Sequence, residues 1–246
     1  MTQNYKIKPL HPESALSFAA FWTVALYLIT HNLIPYIVSS WNLKPVIAWF
    51  LSAGLLIFVP LFFLSFSAIL KEGNKFDLKT ISQRFRIRKP NKKDWQILTF
   101  ATIFNFLALF LIQIFYNRVS ELTGLFPALS TSPSFMAFEP LKTGEYWSLL
   151  LWFPFFFFNI IGEELYWHGY FLPAQSLIHG NKTWIINGSI WMMFHLSFGT
   201  GMMIMLIPLI YSISYLVQKR KNLWFGIILH GLINGSGFLL LALGVI

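Results

Sequence analysis

The sequence predicts an all-α fold: a polytopic transmembrane bundle of about seven helices, with its functional core in the last four. Three observations carry this. The 246 residues are 56% hydrophobic and 11% charged, with mean hydropathy +0.62, a balance that belongs to membrane helices rather than soluble domains. Apolar runs long enough to span recur along the chain, separated by short charged or proline-bearing breaks. Lys and Arg alternate in density from break to break. With the amino terminus inside, the inside segments hold 15 of the 18 Lys and Arg, leaving only Lys44, Arg118 and Lys142 outside. This is the pattern of the positive-inside rule.

Taken in order, a polar tail with Lys6 and Lys8 reaches about Leu16. A first span runs from about Ser17 to Ile37, interrupted at His31-Asn32 and Pro35. Its length, and the lack of a small-residue cleavage site, mark an uncleaved helix rather than a secretory signal. A turn at Trp41–Pro45 leads to a second span, Val46 to Leu70. Residues 71–94 form a basic loop with nine Lys and Arg. It reads first as a topology signal and second as a surface for anionic lipid or an acidic partner. The third span is Trp95 to Tyr116, and residues 117–146 form a longer connection broken by Pro127, Pro133 and Pro140. The fourth, Trp147 to Tyr170, stops before Pro173. The fifth (Thr183 to Phe198) and sixth (Met202 to Val217) are short against the ~20 residues a bilayer asks. Gln218–Asn222 then precedes the last span, Leu223 to Val245. The chain therefore divides into an N-terminal part, 1–146, and a core, 147–246.

Several classes fall away. Without cysteine there is no disulfide or thiolate chemistry. No Gly-rich phosphate loop supports a nucleotide. The net charge of +9 reports topology, so no nucleic-acid partner is expected. The expected surroundings are the lipid bilayer, with an integral membrane location and the amino terminus cytoplasmic.

Of nine acidic residues, seven lie in tails, loops or span ends. Only Glu163 and Glu164 fall inside a strongly apolar segment, just after four consecutive phenylalanines, Phe155 to Phe158. An ionisable group there costs about 2.5–3.5 kcal/mol on insertion scales, so it is paired, wetted or functional. Adjacent helical residues point ~100° apart, so the two cannot aim at one spot. Glu164 and His168 are i,i+4 neighbours and can pair. Glu163 has the other face, shared with Asn159. His195 lies in the fifth span; His230 and Asn234 share one face of the seventh. Each histidine alone reads as an interhelical hydrogen-bonder, but the conjunction of acid, imidazoles and amide on three membrane helices points to a site. Gly231, Gly235 and Gly237 are small enough to admit close helix approach. His31, Asn105 and Gln113 read as interface polars, and His179 as a loop residue.

The order Glu163-Glu164, then Trp191-x-x-x-His195, then His230-x-x-x-Asn234 resembles the signature of the CAAX protease and bacteriocin-processing (CPBP, or Abi) family of intramembrane endopeptidases. The resemblance covers roughly 147–246, and the first three spans match nothing specific. His168 stands where the family has Arg, and Trp191 where it has Phe. The resemblance implies that Glu163, assisted by His195, activates water, that His230 and Asn234 hold the oxyanion, and that Glu164, His168 and Trp191 support them. It also implies bacterial cell-membrane residence and a peptide or membrane-protein substrate. No cofactor is expected; the competing metal reading takes Glu163, His195 and His230 as zinc ligands. A non-catalytic bacteriocin-immunity or scaffold protein of the same family is the alternative from another class. A proton-coupled transporter is disfavoured by the absence of paired halves.

Overall fold

The computed structural model describes residues 5–245 except 125–128, 130–132, 134, 137 and 138. Among the described residues the chain is helical throughout, without strands. We number its helices α1 (Pro12–Trp41), α2 (Pro45–Lys71), α3 (Leu78–Arg84), α4 (Lys92–Thr123), α5 (148–179), α6 (Thr183–Phe194), α7 (Gly199–Arg220) and α8 (Trp224–Ala242). Six stretches are long and apolar enough to cross a membrane, and one of them, Ser148–Phe194, is a hairpin of α5 and α6. Counting its two arms separately is in keeping with a bundle of about seven passages.

The expected breaks are real but differently built. His31-Asn32 does not interrupt the first helix; Ile29–Leu33 widens into a π-helical turn, and Pro35 sits in the first turn of the α-helical segment that follows, where its missing N–H costs little. The third helix runs beyond Tyr116 to Thr123 and ends where Gly124 adopts φ 62°. Its start carries a capping box between Asn91 and Asp94. The long connection is correspondingly shorter, and Pro127 lies outside the described residues. The expected fourth span, α5, does not stop before Pro173. That proline occupies the first turn after a π segment, and the helix continues to His179, ending at Gly180, φ 55°. The fifth passage is short as expected, 12 residues in α6. The sixth is not: α7 has 22 residues and carries Pro208 inside it.

The basic loop also differs from a solvated run of charge. It folds into α3, capped by Asp77 accepting from the Thr80 N–H at 2.9 Å, which with the Thr80 hydroxyl holds the Asp77 carboxyl below its usual range. Arg84, at the end of α3, is fully buried. It grips Glu72 through Nε and Nη2 at 2.6 and 2.7 Å, and its Nη1 donates to the Gly169 carbonyl at 2.9 Å. Asp94 is likewise buried and held by Arg88 and Arg220. The four segments assigned to one side of the membrane by charge meet at one end of the bundle. The tail joins α5 through Leu10 N–H to the Ala174 carbonyl, and Leu223 N–H reaches the Arg86 carbonyl. At the other end Lys44 pairs with Glu145, holding that carboxyl down, and Leu141 bonds to Ala242.

Asn105 does not bridge helices as expected: its Nδ2 donates to Ala101 within α4. His31 is exposed and stacks on Tyr27 with ring centroids 4.2 Å apart. His179 ends α5 rather than lying in a loop. Of the three glycines, Gly235 packs against the Phe156 ring, whereas nothing lies within 4 Å of a Cβ placed at Gly237 and Gly231 has ordinary space.

Candidate active site

The central part of α5 is wound as two π segments, Phe158–Gly162 and Glu164–Phe171, on either side of Glu163. Such i→i+5 winding is rare and concentrates at functional sites. It disturbs the usual backbone ladder, and side chains from elsewhere supply partners: Arg84 bonds the Gly169 carbonyl and Asn187 Nδ2 the Trp167 carbonyl at 3.0 Å. At Gly162 a Cβ would lie 2.7 Å from the Phe58 carbonyl oxygen, so only glycine lets α2 and α5 touch there.

Glu163 and Glu164 splay apart toward different helices, and both are buried, 2% and 0% exposed. Glu163 Oε1 accepts from Asn159 Nδ2 at 2.7 Å, and its Oε2 from Trp191 Nε1 at 2.9 Å. Nε2 of His195, on the residue that follows α6, lies 3.9 Å from the same Oε2. His195 Nδ1 is 2.9 Å from the Trp191 carbonyl. A carbonyl can only accept, so Nδ1 carries the proton and Nε2 presents its lone pair toward Glu163. Two acceptors thus face each other across a gap too long for a hydrogen bond.

Glu164 does more than pair with His168. Its Oε2 meets His168 Nδ1 at 2.8 Å, while its Oε1 meets His230 Nδ1 at 3.0 Å. Beyond His168, Nε2 contacts Ser214 Oγ at 3.1 Å, and Ser214 leads to Asn187 and Gln175. Beyond His230, Nε2 lies 2.9 Å from Asn234 Nδ2. One carboxylate therefore ties α5, α7 and α8 together. The carboxylate fits because residue 226 is glycine; a Cβ there would sit 1.9 Å from Glu164 Oε2. Gly226 and Asn187 were not singled out by sequence, since a glycine in an apolar helix carries no mark of what it packs against.

Trp191 is the hub. Its ring lies 4.7, 5.5 and 5.4 Å, centroid to centroid, from those of His168, His195 and His230. The structure thus gathers all seven expected residues: Glu163, Glu164, His168, Trp191, His195, His230 and, at an exposed position on the rim, Asn234. Among the described residues no three His, Asp or Glu side chains are arranged to hold a metal ion. Both nitrogens of His230 are also engaged within the chain. The trio Glu163, His195 and His230 does not fit a zinc site as placed.

Residues 145–236 match a family model described as type II CAAX prenyl endopeptidase Rce1-like. This region is similar to the CAAX prenyl endopeptidases. No curated protein and no solved structure matches the chain. The matched region runs from the turn before α5 into α8 and so takes in every residue of the cluster. The helices before it lie outside the match, yet α2 and α3 brace it through Phe58, Glu72 and Arg84.

Proposed function

We propose that this chain is an intramembrane endopeptidase in which Glu163 activates water. The observation that supports it most directly is the pair of acceptors, Glu163 Oε2 and His195 Nε2, facing each other at 3.9 Å in a buried setting. A water molecule can donate to two lone-pair-bearing atoms so placed. Asn159 and Trp191 fix the carboxylate's orientation, which is what a general base needs before its basicity matters.

In the proposed reaction Oε2 removes a proton from that water as its oxygen attacks the scissile carbonyl. The proton then passes to the departing amide nitrogen. Asn234 supplies the oxyanion donor: one Nδ2 hydrogen goes to His230 Nε2 and the second is free. His230 spends its own N–H on Glu164 and acts here by positioning the amide, a narrower role than donating directly. A single oxyanion donor in a low-dielectric site lowers the barrier by about 2.7–4 kcal/mol. The family described for residues 145–236 is one of CAAX prenyl endopeptidases, which makes peptide hydrolysis within or beside the bilayer the fitting activity. A cytoplasmic amino terminus and a bacterial cell membrane are part of the same reading.

The test is Glu163→Gln in cells co-expressing a cleavable substrate. Cleavage should be abolished with the protein level unchanged. Retained cleavage removes Glu163 as the base.

A further inference from the structure

Away from the glutamate cluster, a cavity of about 710 Å³ opens where the tail, the loop after α3, the α5–α6 turn and the end of α7 meet. Its lining includes the cations Arg86, Lys219 and Lys221, the aromatic rings of Trp184 and Tyr215, and Gln218. No carboxylate pairs with any of the three cations among the described residues, although neighbouring Arg84, Arg88 and Arg220 are all paired. Burial pushes the Arg86 guanidinium down from its ordinary value, with Arg84 adding to the effect and Tyr5 opposing it.

The backbone adds a second observation. Of three non-glycine residues with positive φ among those described, two are Arg86 (57°) and Lys221 (48°). Neither is Asn or Asp, and such conformations cost on the order of 1–3 kcal/mol each unless the surroundings hold them. The Leu223 N–H to the Arg86 carbonyl, at 3.0 Å, ties the two strained stretches together at the cavity. Strain here gathers positive charge around one hollow. Finally, Gln218 Nε2 is spent on the Gly180 carbonyl, while its buried Oε1 finds no donor among the described residues.

We propose that this cavity binds a phosphate group, taken from the headgroup of an anionic phospholipid or from free phosphate. Three cations without a carboxylate partner among the described residues neutralise the phosphate, Trp184 and Tyr215 are of the type that sits at headgroup level, and Gln218 Oε1 accepts from a headgroup hydroxyl. All four segments come from the end that charge asymmetry assigns to the inside, where anionic lipid attracts basic residues.

The experiment uses the purified full chain in neutral detergent and counts bound ligand by native mass spectrometry. The probes are phosphatidylglycerol, phosphatidylcholine and inorganic phosphate. The test variant is Lys219→Gln with Lys221→Asn, which keeps a residue suited to the left-handed backbone at 221. A charge-matched control is Lys75→Gln with Lys79→Gln. One phosphatidylglycerol bound in preference to phosphatidylcholine, weakened on the order of tenfold or more in the test variant but not in the control, supports a lipid-filled site. Saturable inorganic phosphate binding with the same variant dependence, without preference for phosphatidylglycerol, supports a soluble-phosphate site. Binding weakened equally in both variants is diffuse surface attraction and overturns the proposal. Absence of saturable binding of either anion overturns it as well.

Discussion

Trp191 fills the place where the resembling family carries Phe, and its indole N–H does something a phenyl ring cannot. It donates to Glu163 Oε2 at 2.9 Å while the ring keeps three imidazoles apart. Trp191→Phe removes the donor and keeps most of the ring. A hydrogen bond to a charged partner contributes about 1.5–3 kcal/mol; lost from the transition state, that lowers turnover roughly ten- to hundredfold. Unchanged turnover would show that the bond does not orient the base. Gly226→Ala makes the opposite kind of change, because the new Cβ collides with Glu164. Overpacking costs about 1–3 kcal/mol, and displacing Glu164 releases His230 too. We expect a lowered melting temperature in detergent together with lost cleavage; an unaltered melting curve would contradict the contact. At this scale the sequence was informative about residues with chemistry of their own. The acids, imidazoles and amide stand out because apolar spans tolerate them so poorly. What escaped notice was reciprocal detail: that Glu164 serves His230 as well as His168, and that a glycine makes room for it.

Among the elements, α5 and α3 depend on one another. The π winding of α5 leaves carbonyls for side chains to satisfy, and Arg84 of α3 bonds one of them while its guanidinium is neutralised by Glu72 at the end of α2. Breaking a buried ion pair by removing one partner costs about 3–5 kcal/mol, since the other charge stays behind unpaired. Arg84→Met should therefore lower thermal stability by that order, read by unfolding of the purified protein in detergent. Replacing Glu72 and Arg84 together by apolar residues should cost much less. Equal losses for the single and double changes would show that the pair itself is not what holds α3. None of this was visible in the sequence, where Arg84 is one of nine cations in a run and Glu72 sits at a span end. Helix type escaped as well. The 3.6-residue periodicity assumed for span four is replaced by π turns, which leave no compositional signature, and Pro173 fits into the turn after them instead of ending the helix.

For the molecule as a whole, charge asymmetry and hydropathy were enough to anticipate which segments share an end of the bundle. The tail, the basic loop, the α5–α6 turn and the α7–α8 link do meet there, because alternation of passes leaves them no other arrangement. Lengths were less legible: α4 and α7 extend past their apolar cores, since polar residues at helix ends continue a helix once neighbours bond them. The bundle encloses a buried acid–imidazole cluster, and the account stands on that cluster hydrolysing peptide bonds. Comparative peptidomics of cells carrying the native chain or its Glu163→Ala form tests this most directly. The account predicts a defined set of cleavage products present with the native chain and absent with the variant at equal protein level. Identical peptide profiles from the two at equal protein level would contradict it.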